Sequence, residues 1–376
     1  MQPVADDLTD LLALTLVPGL GPRLTQALLD RFGSAGAARQ ATVQELESVP
    51  HVGEKLARSF HTALKSANPS AELALATKHG VSFLPLTSPD YPAALRATVN
   101  PPHLLYVRGA FAAADANAVA IVGSRKCTPY GQKAATRLAA GLARAGYTVV
   151  SGLALGIDGA AHRGALEGGG RTIAVLAGGL SAIYPPDHVG LAEEVARSGA
   201  LVTETPLAMP PQSGMFHARN RLISGLSRAT VIVEANDRSG ALITARHAAE
   251  QGRDVFALPA NVDSTYSAGS LRLLRDGARL IRDVDDLLED LRGLRTPGSR
   301  TPTPTSAEPF PAPLPTPLPI LDPAQQRVWD FLAEPHHADE ITRSLGFPAG
   351  ELSKLLLTME MKKIIRRAPG NMFERR

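Results

Sequence analysis

The chain has 376 residues, 44% of them hydrophobic, which is enough apolar side chain for two or three packed domains. A formal charge of +3 is too small for a global positive field, so affinity for any polyanion must come from local clusters. Cys127 is the single cysteine, which excludes an internal disulfide and a paired-cysteine zinc ribbon and fits a reducing compartment.

Asp6, Asp7 and Asp10 stand where a secretory signal would carry basic residues and a long apolar run, and no segment reaches membrane-spanning length. A cytoplasmic location without a membrane partner is expected. Residues 1–67 read as a first, helical domain of two similar hairpins, through L-V-P-G-L-G-P-R-L and S-V-P-H-V-G-E-K-L-A. They are similar to helix-hairpin-helix (SAM-like) units, whose Gly-hydrophobic-Gly turn presents N–H groups to a duplex phosphate. Gly19 and Gly21 match that turn, whereas His51 replaces the first glycine of the second copy. We read the pair as a scaffold or docking module.

Residues 68–294 read as an α/β domain. Short β-branched runs at 119–122, 148–150, 172–176, 201–203, 230–234 and 254–258 alternate with helical stretches, and 104–107 offers one more strand. The connections are long enough for crossover helices, which predicts a mainly parallel, Rossmann-like sheet covered on both faces. Ligands bind beyond the carboxyl ends of such strands. There the sequence places Gly123, Ser124, Arg125 and Lys126, then S-G-L-A-L-G-I-D with Gly152, then Gly178 and Gly179 followed by Y-P-P. Ser239 and Gly240 open a helix that carries Arg246. Small residues let a ligand backbone approach, and helix N–H groups favour anions.

Between the fourth and fifth runs lies F-H-A-R-N-R-L-I-S-G-L-S. The forks of Arg219 and Arg221 suit phosphate oxygens, the Asn220 amide suits a base edge, and the Phe216 ring suits the face of an unstacked base. The turn G-S-R-K-C-T-P-Y-G lacks the G-x-G-x-x-G spacing, the second strand ends without the acidic residue that holds a ribose, and no P-loop motif occurs. No nucleotide cofactor and no ATP hydrolysis are therefore expected. Ser151, Asp158 and His162 share one strand-helix unit, but no G-x-S-x-G accompanies them, and Asp158 reads as a helix cap. The histidines are scattered and no metal site is expected.

An amphipathic stretch at 271–281 closes this domain. Residues 295–319 follow, nine of the 25 being proline, a composition that predicts an extended linker. Residues 320–376 read as three short helices and a hairpin turning at 369–371, a winged-helix outline. Its recognition helix sets Glu351 and Glu360 against Lys354, a poor charge set for a major groove, while Lys362, Lys363, Arg366 and Arg367 make the wing basic. A protein-interaction or regulatory role is favoured over sequence-specific DNA reading.

Five motifs taken together resemble one family. They are G-S-R-x-x-T-x-Y-G at 123–131, S-G-L-A-x-G-I-D-x-x-A-H at 151–162, T-I-A-V-L at 172–176, F-x-x-R-N-R-x-I-S-G-L-S at 216–227 and V-E-A-x-x-x-S-G-x-L-x-T-A at 233–245. With the lead-ins Y-P-A-A-L and P-P-H-L-L-Y-V-R-G, they resemble the DNA-processing protein A (DprA, or Smf) family across residues 81–282. The resemblance implies a non-enzymatic, cofactor-free protein that binds single-stranded DNA taken up in natural transformation. It also implies loading of the recombinase RecA onto that strand in place of single-strand-binding protein. Arg125 would then contact phosphate and Phe216 stack on a base. Ser124, Lys126, Gly152, Arg219, Asn220, Arg221, Ser239, Gly240 and Arg246 complete the expected DNA-binding set, with Arg221 alternatively holding Glu204 or Glu234. Ser213 replaces a lysine found in some relatives, so one phosphate contact is either missing or supplied by Lys126 or Lys133. The family dimerises through its Rossmann domains, which makes a homodimer through Leu271, Leu274 and Ile281 the expectation. The competing function is a Rossmann-like nucleotide-processing hydrolase acting through Glu204 or Asp158.

Overall fold

The structure is a computed structural model that describes residues 5–293 and 321–375, apart from 333, 335, 362, 363 and 369–371. The chain divides into two compact units, separated near residue 300.

The first unit begins with α1 (Ala5–Thr15), α2 (Pro22–Phe32), α3 (Ala35–Gln40), α4 (Val43–Glu47), α5 (Glu54–Ser66) and α6 (Pro69–His79). Local signals set their ends. Pro22 starts α2, Ser34 caps α3 through Ala37 N, and Thr42 and Glu45 close a capping box on α4. Leu14, Val17, Leu28, Leu46, Phe60 and Leu64 pack the two hairpins into one small core. Gly19 turns with φ +81°, and His51, its counterpart in the second copy, takes φ 69°. The second turn thus keeps the hairpin geometry despite a side chain that disfavours it. The His51 ring meets Arg23 at 2.7 Å (Nε2 to Nη2).

Next come β1 (Val81–Pro85), α7 (Ala93–Arg96), β2 (Leu104–Gly109), β3 (Ala118–Val122), α8 (Pro129–Arg144), β4 (Thr148–Ser151) and α9 (Ile157–Glu167). They are followed by β5 (Thr172–Val175), α10 (Val189–Ser198), β6 (Ala200–Thr203), α11 (Ser213–Gly225), β7 (Ala229–Ile232) and α12 (Ala241–Glu250). The unit ends with β8 (Asp254–Ala257), α13 (Ala268–Arg275), β9 (Arg279–Leu280) and α14 (Val284–Gly293). All nine strands join one sheet in the order β1-β2-β6-β5-β4-β3-β7-β8-β9. It is parallel from β6 to β9, with β1 and β2 antiparallel at one edge. The six expected runs are β3 to β8, and the lead-in strand is β2. Strands β1 and β9 were not anticipated.

Residues from α8, α9 and α14 cover one face, and those from α7, α11 and α12 cover the other, so the central strands are apolar on both sides. A third cluster joins Leu12 of α1 and Ala76 of α6 to Tyr106 of β2 and Leu201 of β6. The helical module therefore packs directly on the sheet and shares its compact unit. At the amino ends of the strands, Asp115 accepts from Arg171 Nε (2.9 Å) and Thr148 Oγ1 (2.8 Å), a structural network far from the strands' carboxyl ends.

The stretch 271–281 is not one helix: α13 stops at Arg275 and the chain then adds the edge strand β9. Ile281 is fully buried in its own unit's core beside Val231 and Phe256, and so cannot anchor a partner surface. Leu274 packs partly into the core, whereas Leu280 on β9 is 53% exposed.

The second unit holds α15 (Pro323–Phe331), β10 (His336–His337), α16 (Ala338–Leu345), α17 (Ala349–Met361), β11 (Ile365–Ala368) and β12 (Met372–Arg375). Asp322 caps α15, and Val328, Ile341, Leu352, Leu356, Ile365 and Phe373 form the core of this winged helix. The expected hairpin is β11–β12, joined on its other side by β10. Its turn and Lys362 and Lys363 lie outside the described residues, and Arg366 pairs with Glu374 at 2.7 Å. Among the described residues no helix is long and apolar enough to cross a membrane.

Candidate nucleic-acid interface

Strands β3 and β7 are neighbours, yet α8 leaves β3 for one face and α12 leaves β7 for the other. At such a switch point the two loops part and open a crevice. Here the crevice is a groove of about 450 Å³, lined by Ser124, Arg125 and Lys126 after β3, by Phe216, His217 and Asn220 of α11, and by Arg238, Ser239 and Gly240 after β7.

In a dinucleotide-binding sheet the amino end of the first crossover helix receives a pyrophosphate. In this chain that place is taken by protein. The Glu234 carboxylate accepts from Thr128 N (2.7 Å) and Thr128 Oγ1 (2.9 Å) at the start of α8. Gly131 makes the approach feasible, since a Cβ there would stand 2.6 Å from Glu234 Oε2. The negative charge suited to the helix dipole is thus supplied internally.

The loop above is shaped by Ser124, whose Oγ accepts from Lys126 N (3.2 Å) and donates to Lys126 O (3.0 Å). Ser124 is itself buried, and its role is to form the turn. Arg125 and Lys126 are exposed at the crest and have no carboxylate partner among the described residues. The Arg125 guanidinium lies over the Phe216 ring, 4.6 Å from its centroid, and the Tyr184 ring stands 6.0 Å from Phe216 at 60°. Free cations beside a partly open aromatic pair can hold a backbone phosphate and stack a base. Tyr184 was not anticipated, although the Y-P-P that contains it was noted at a strand end. Arg238, also exposed in the groove, was missed as well.

The family model for DNA recombination-mediator protein A matches residues 82–292, over half of the chain. The chain belongs to the DNA recombination-mediator protein A family. Its ends match the DprA winged helix domain at 312–371 and the SAM-like helix-hairpin-helix tandem at 11–66. Protein Smf of Synechocystis is 34% identical over 97% of this chain and 98% of its own length. The DNA processing protein DprA of Bacillus subtilis is 35% identical over 71% of this chain and 91% of its own. The solved DprA of Streptococcus pneumoniae superposes with a TM-score of 0.65 at 29% identity, covering 77% of this chain and 99% of that one. DNA processing protein A of Helicobacter pylori, solved for its single-stranded DNA binding mode, gives 0.51 at 32% identity, covering 57% of this chain and 97% of that one.

Three arginines of this DprA-family chain are engaged otherwise than expected: Arg219 lines the groove but is turned inward, and Arg221 and Arg246 lie outside it. Arg219 is only 5% exposed; its Nη1 donates to Gly152 O (2.8 Å) and to Val175 O, bracing α11 against the ends of β4 and β5. Gly152 leaves room for it, because a Cβ would come within 2.5 Å of Nη1. Burial pushes the Arg219 guanidinium down to about 10, which leaves it charged at neutral pH, with Asp158 close by in support. Arg221 pairs with the Glu204 carboxylate and donates to Asn100 O (2.8 Å), the alternative reading with Glu204 as partner. Arg246 lies outside the groove, in a separate cleft between α12 and α13, 3.7 Å from Glu250. Asn220 faces the groove but spends its Nδ2 on Gly240 O (3.1 Å), tying α11 to the start of α12.

Asp158 and His162 are both buried. Gly156, with φ +78°, caps α9, and Asp158 in the first turn accepts from Ala154 N at 3.4 Å, so Asp158 is not the cap itself. Burial raises the Asp158 carboxyl above its usual range, opposed by Arg219. His162 Nδ1 meets Thr172 Oγ1 at 2.7 Å, and burial, helped by nearby His188, Arg219 and Arg163, pushes the imidazole down to about 3. The unfolded chain binds a proton at this histidine below about pH 6.5 that the folded chain refuses. The stability associated with the neutral ring is therefore complete above that pH and is lost as pH falls toward 3. Urea denaturation should show wild type losing stability relative to His162→Gln as pH drops from about 6.5 to 4.5, by up to about 1.4 kcal/mol per unit. A pH-independent difference would remove His162 from the acid sensitivity.

Proposed function

We propose that this chain is a non-catalytic binder of single-stranded DNA that protects incoming strands and loads RecA onto them in natural transformation and recombination. In this reading it replaces single-strand-binding protein and works in the cytoplasm. The observation that carries it is Arg125 stacked over Phe216, with exposed Lys126 beside it in the same groove, at a switch point whose phosphate niche is already filled by Glu234. A groove that has lost its cofactor seat but keeps free cations and a ring fits a polynucleotide better than a mononucleotide. The Helicobacter pylori relative, with its single-stranded DNA binding mode, supports the same reading. Arg125, Lys126 and Phe216 form its centre, with Ser124, Asn220, Ser239 and Gly240 shaping the walls and Gly152 making room for Arg219 beside them.

We further propose a homodimer through the α13–β9 edge, where Leu271 and Leu274 join the exposed Leu280. Gel shifts at fixed salt with oligothymidylate, duplex of equal length and mononucleotide competitor test the main reading. The single strand should bind most tightly, and millimolar mononucleotide should compete weakly. Turnover of a mononucleotide that is abolished by changing Glu204 or Asp158 would instead favour the nucleotide-processing hydrolase.

A further inference from the structure

Helix α12 is a ridge with a depression on either side. Its Ala241 and Thr244 line the groove, whereas Leu242, Arg246 and Ala249 line a cleft of about 710 Å³ between α12 and α13. The two depressions meet at the amino end of the ridge, where Arg238 and Ser239 belong to both. A strand leaving the groove at that point crosses the loop after β7 and enters the cleft. The ten residues of α12 make a wall about 15 Å long, room for about three or four stacked nucleotides.

Charge says what would follow that path. Arg238, Arg246, Arg253, Arg272 and Arg279 line the cleft against Asp237, Asp254 and Asp276. The ion pairs here are long, with Arg272 3.5 Å from Asp237, Arg279 3.4 Å from Asp254 and Arg246 3.7 Å from Glu250, and the three arginines are about half exposed or more. Pairs so loose and wet are worth little and exchange readily for another anion. Arg238 is exposed and has no carboxylate partner among the described residues. Beneath them Arg253 is only 8% exposed, and its Nη2 donates to Ala94 O at 2.8 Å, tying the start of β8 to α7. Its Nε and Nη1 have no partner, and no carboxylate among the described residues balances its charge. Burying such a cation is costly, and the low dielectric around it carries its field into the cleft that it lines. An anion lying there supplies the missing counter-charge.

Resting on the single-strand reading above, we propose that the α12–α13 cleft is a second DNA site, which takes the sugar-phosphate backbone of the same strand after it leaves the groove over Arg238. No aromatic side chain lines the cleft among the described residues, so it holds phosphates and is indifferent to bases. Continuity with the groove through Arg238 and Ser239 favours the strand over an acidic protein segment, which would need the cleft alone. None of Leu271, Leu274 and Leu280 lines the cleft, so the proposed dimer edge is a different surface.

Fluorescence anisotropy tests this with the full-length chain and two oligothymidylates, one of about six nucleotides, enough for the groove, and one of about fifteen. For wild type the slope of log affinity against log salt should be steeper with the longer strand by about 1.4 to 2.1, the share of two or three further phosphates. Arg246→Glu and Arg272→Glu should each take about 0.7 or more from that increment while the short strand binds as before. Arg144→Glu, exposed at the carboxyl end of α8, should leave both strands unaffected. Arg253 stays unaltered in these variants because it braces the fold. The cleft is overturned as a DNA site if both of its variants keep the wild-type increment, or if Arg144→Glu lowers that increment as much as they do. Failure of wild type to bind either strand overturns the single-strand reading and the cleft with it, whereas binding of both strands with equal slopes sinks the cleft alone.

Discussion

Arg125→Ala is expected to weaken binding to oligothymidylate by about ten- to a hundredfold at moderate salt. A charge-assisted hydrogen bond to phosphate is worth roughly 1.5–3 kcal/mol, and Arg125, although buried Asp158 feels its charge, is exposed and not held by it in a salt bridge. The slope of log affinity against log salt should fall by about 0.7, the share of one single-strand phosphate contact. Phe216→Ala should cost a similar roughly 1–3 kcal/mol but leave that slope alone, because stacking releases no counterion. Since the guanidinium rests on the ring at 4.6 Å, the double variant should lose less than the two single losses combined. Titrations at several salt concentrations decide the matter. An unchanged slope in Arg125→Ala would remove that residue from the phosphate track.

Arg219→Met should behave differently, costing about 3–5 kcal/mol of folding stability and lowering the urea midpoint at unchanged m-value. Removing the guanidinium deprives Gly152 O and Val175 O of their donor and leaves buried Asp158 without its neighbouring positive charge. Were Arg219 a phosphate contact, the midpoint would hold and the salt slope would fall instead. A stability loss alone assigns it to the framework beneath the groove.

That contrast marks where the sequence was legible. The β-branched runs that became β3 to β8 were readable because strands buried on both faces need near-continuous apolar residues. V-S-F-L-P was not, since β1 is a partly exposed edge strand ending in proline, and β9 has only two residues. In the site, the position of Arg125 and Lys126 followed from the rule that ligands gather at strand ends. The R-N-R cluster was legible only in part, because an arginine on a helix reads as surface. Whether it turns inward depends on acceptors distant in sequence: the Gly152 and Val175 carbonyls for Arg219, and Glu204 for Arg221. Tyr184 lay in a Y-P-P that reads as loop punctuation, and only folding brings its ring to within 6.0 Å of Phe216.

The contact between Leu12 and the sheet has a practical corollary. Two stretches that look like separate modules on paper should melt together in a single calorimetric peak, and a protease should find no easy nick near residue 67. Expression of the α/β part alone would strip a greasy strip of β2 and β6 bare to water, inviting clumping. Anyone trimming this chain for crystallisation would do better to cut after α14 and leave its first helix in place.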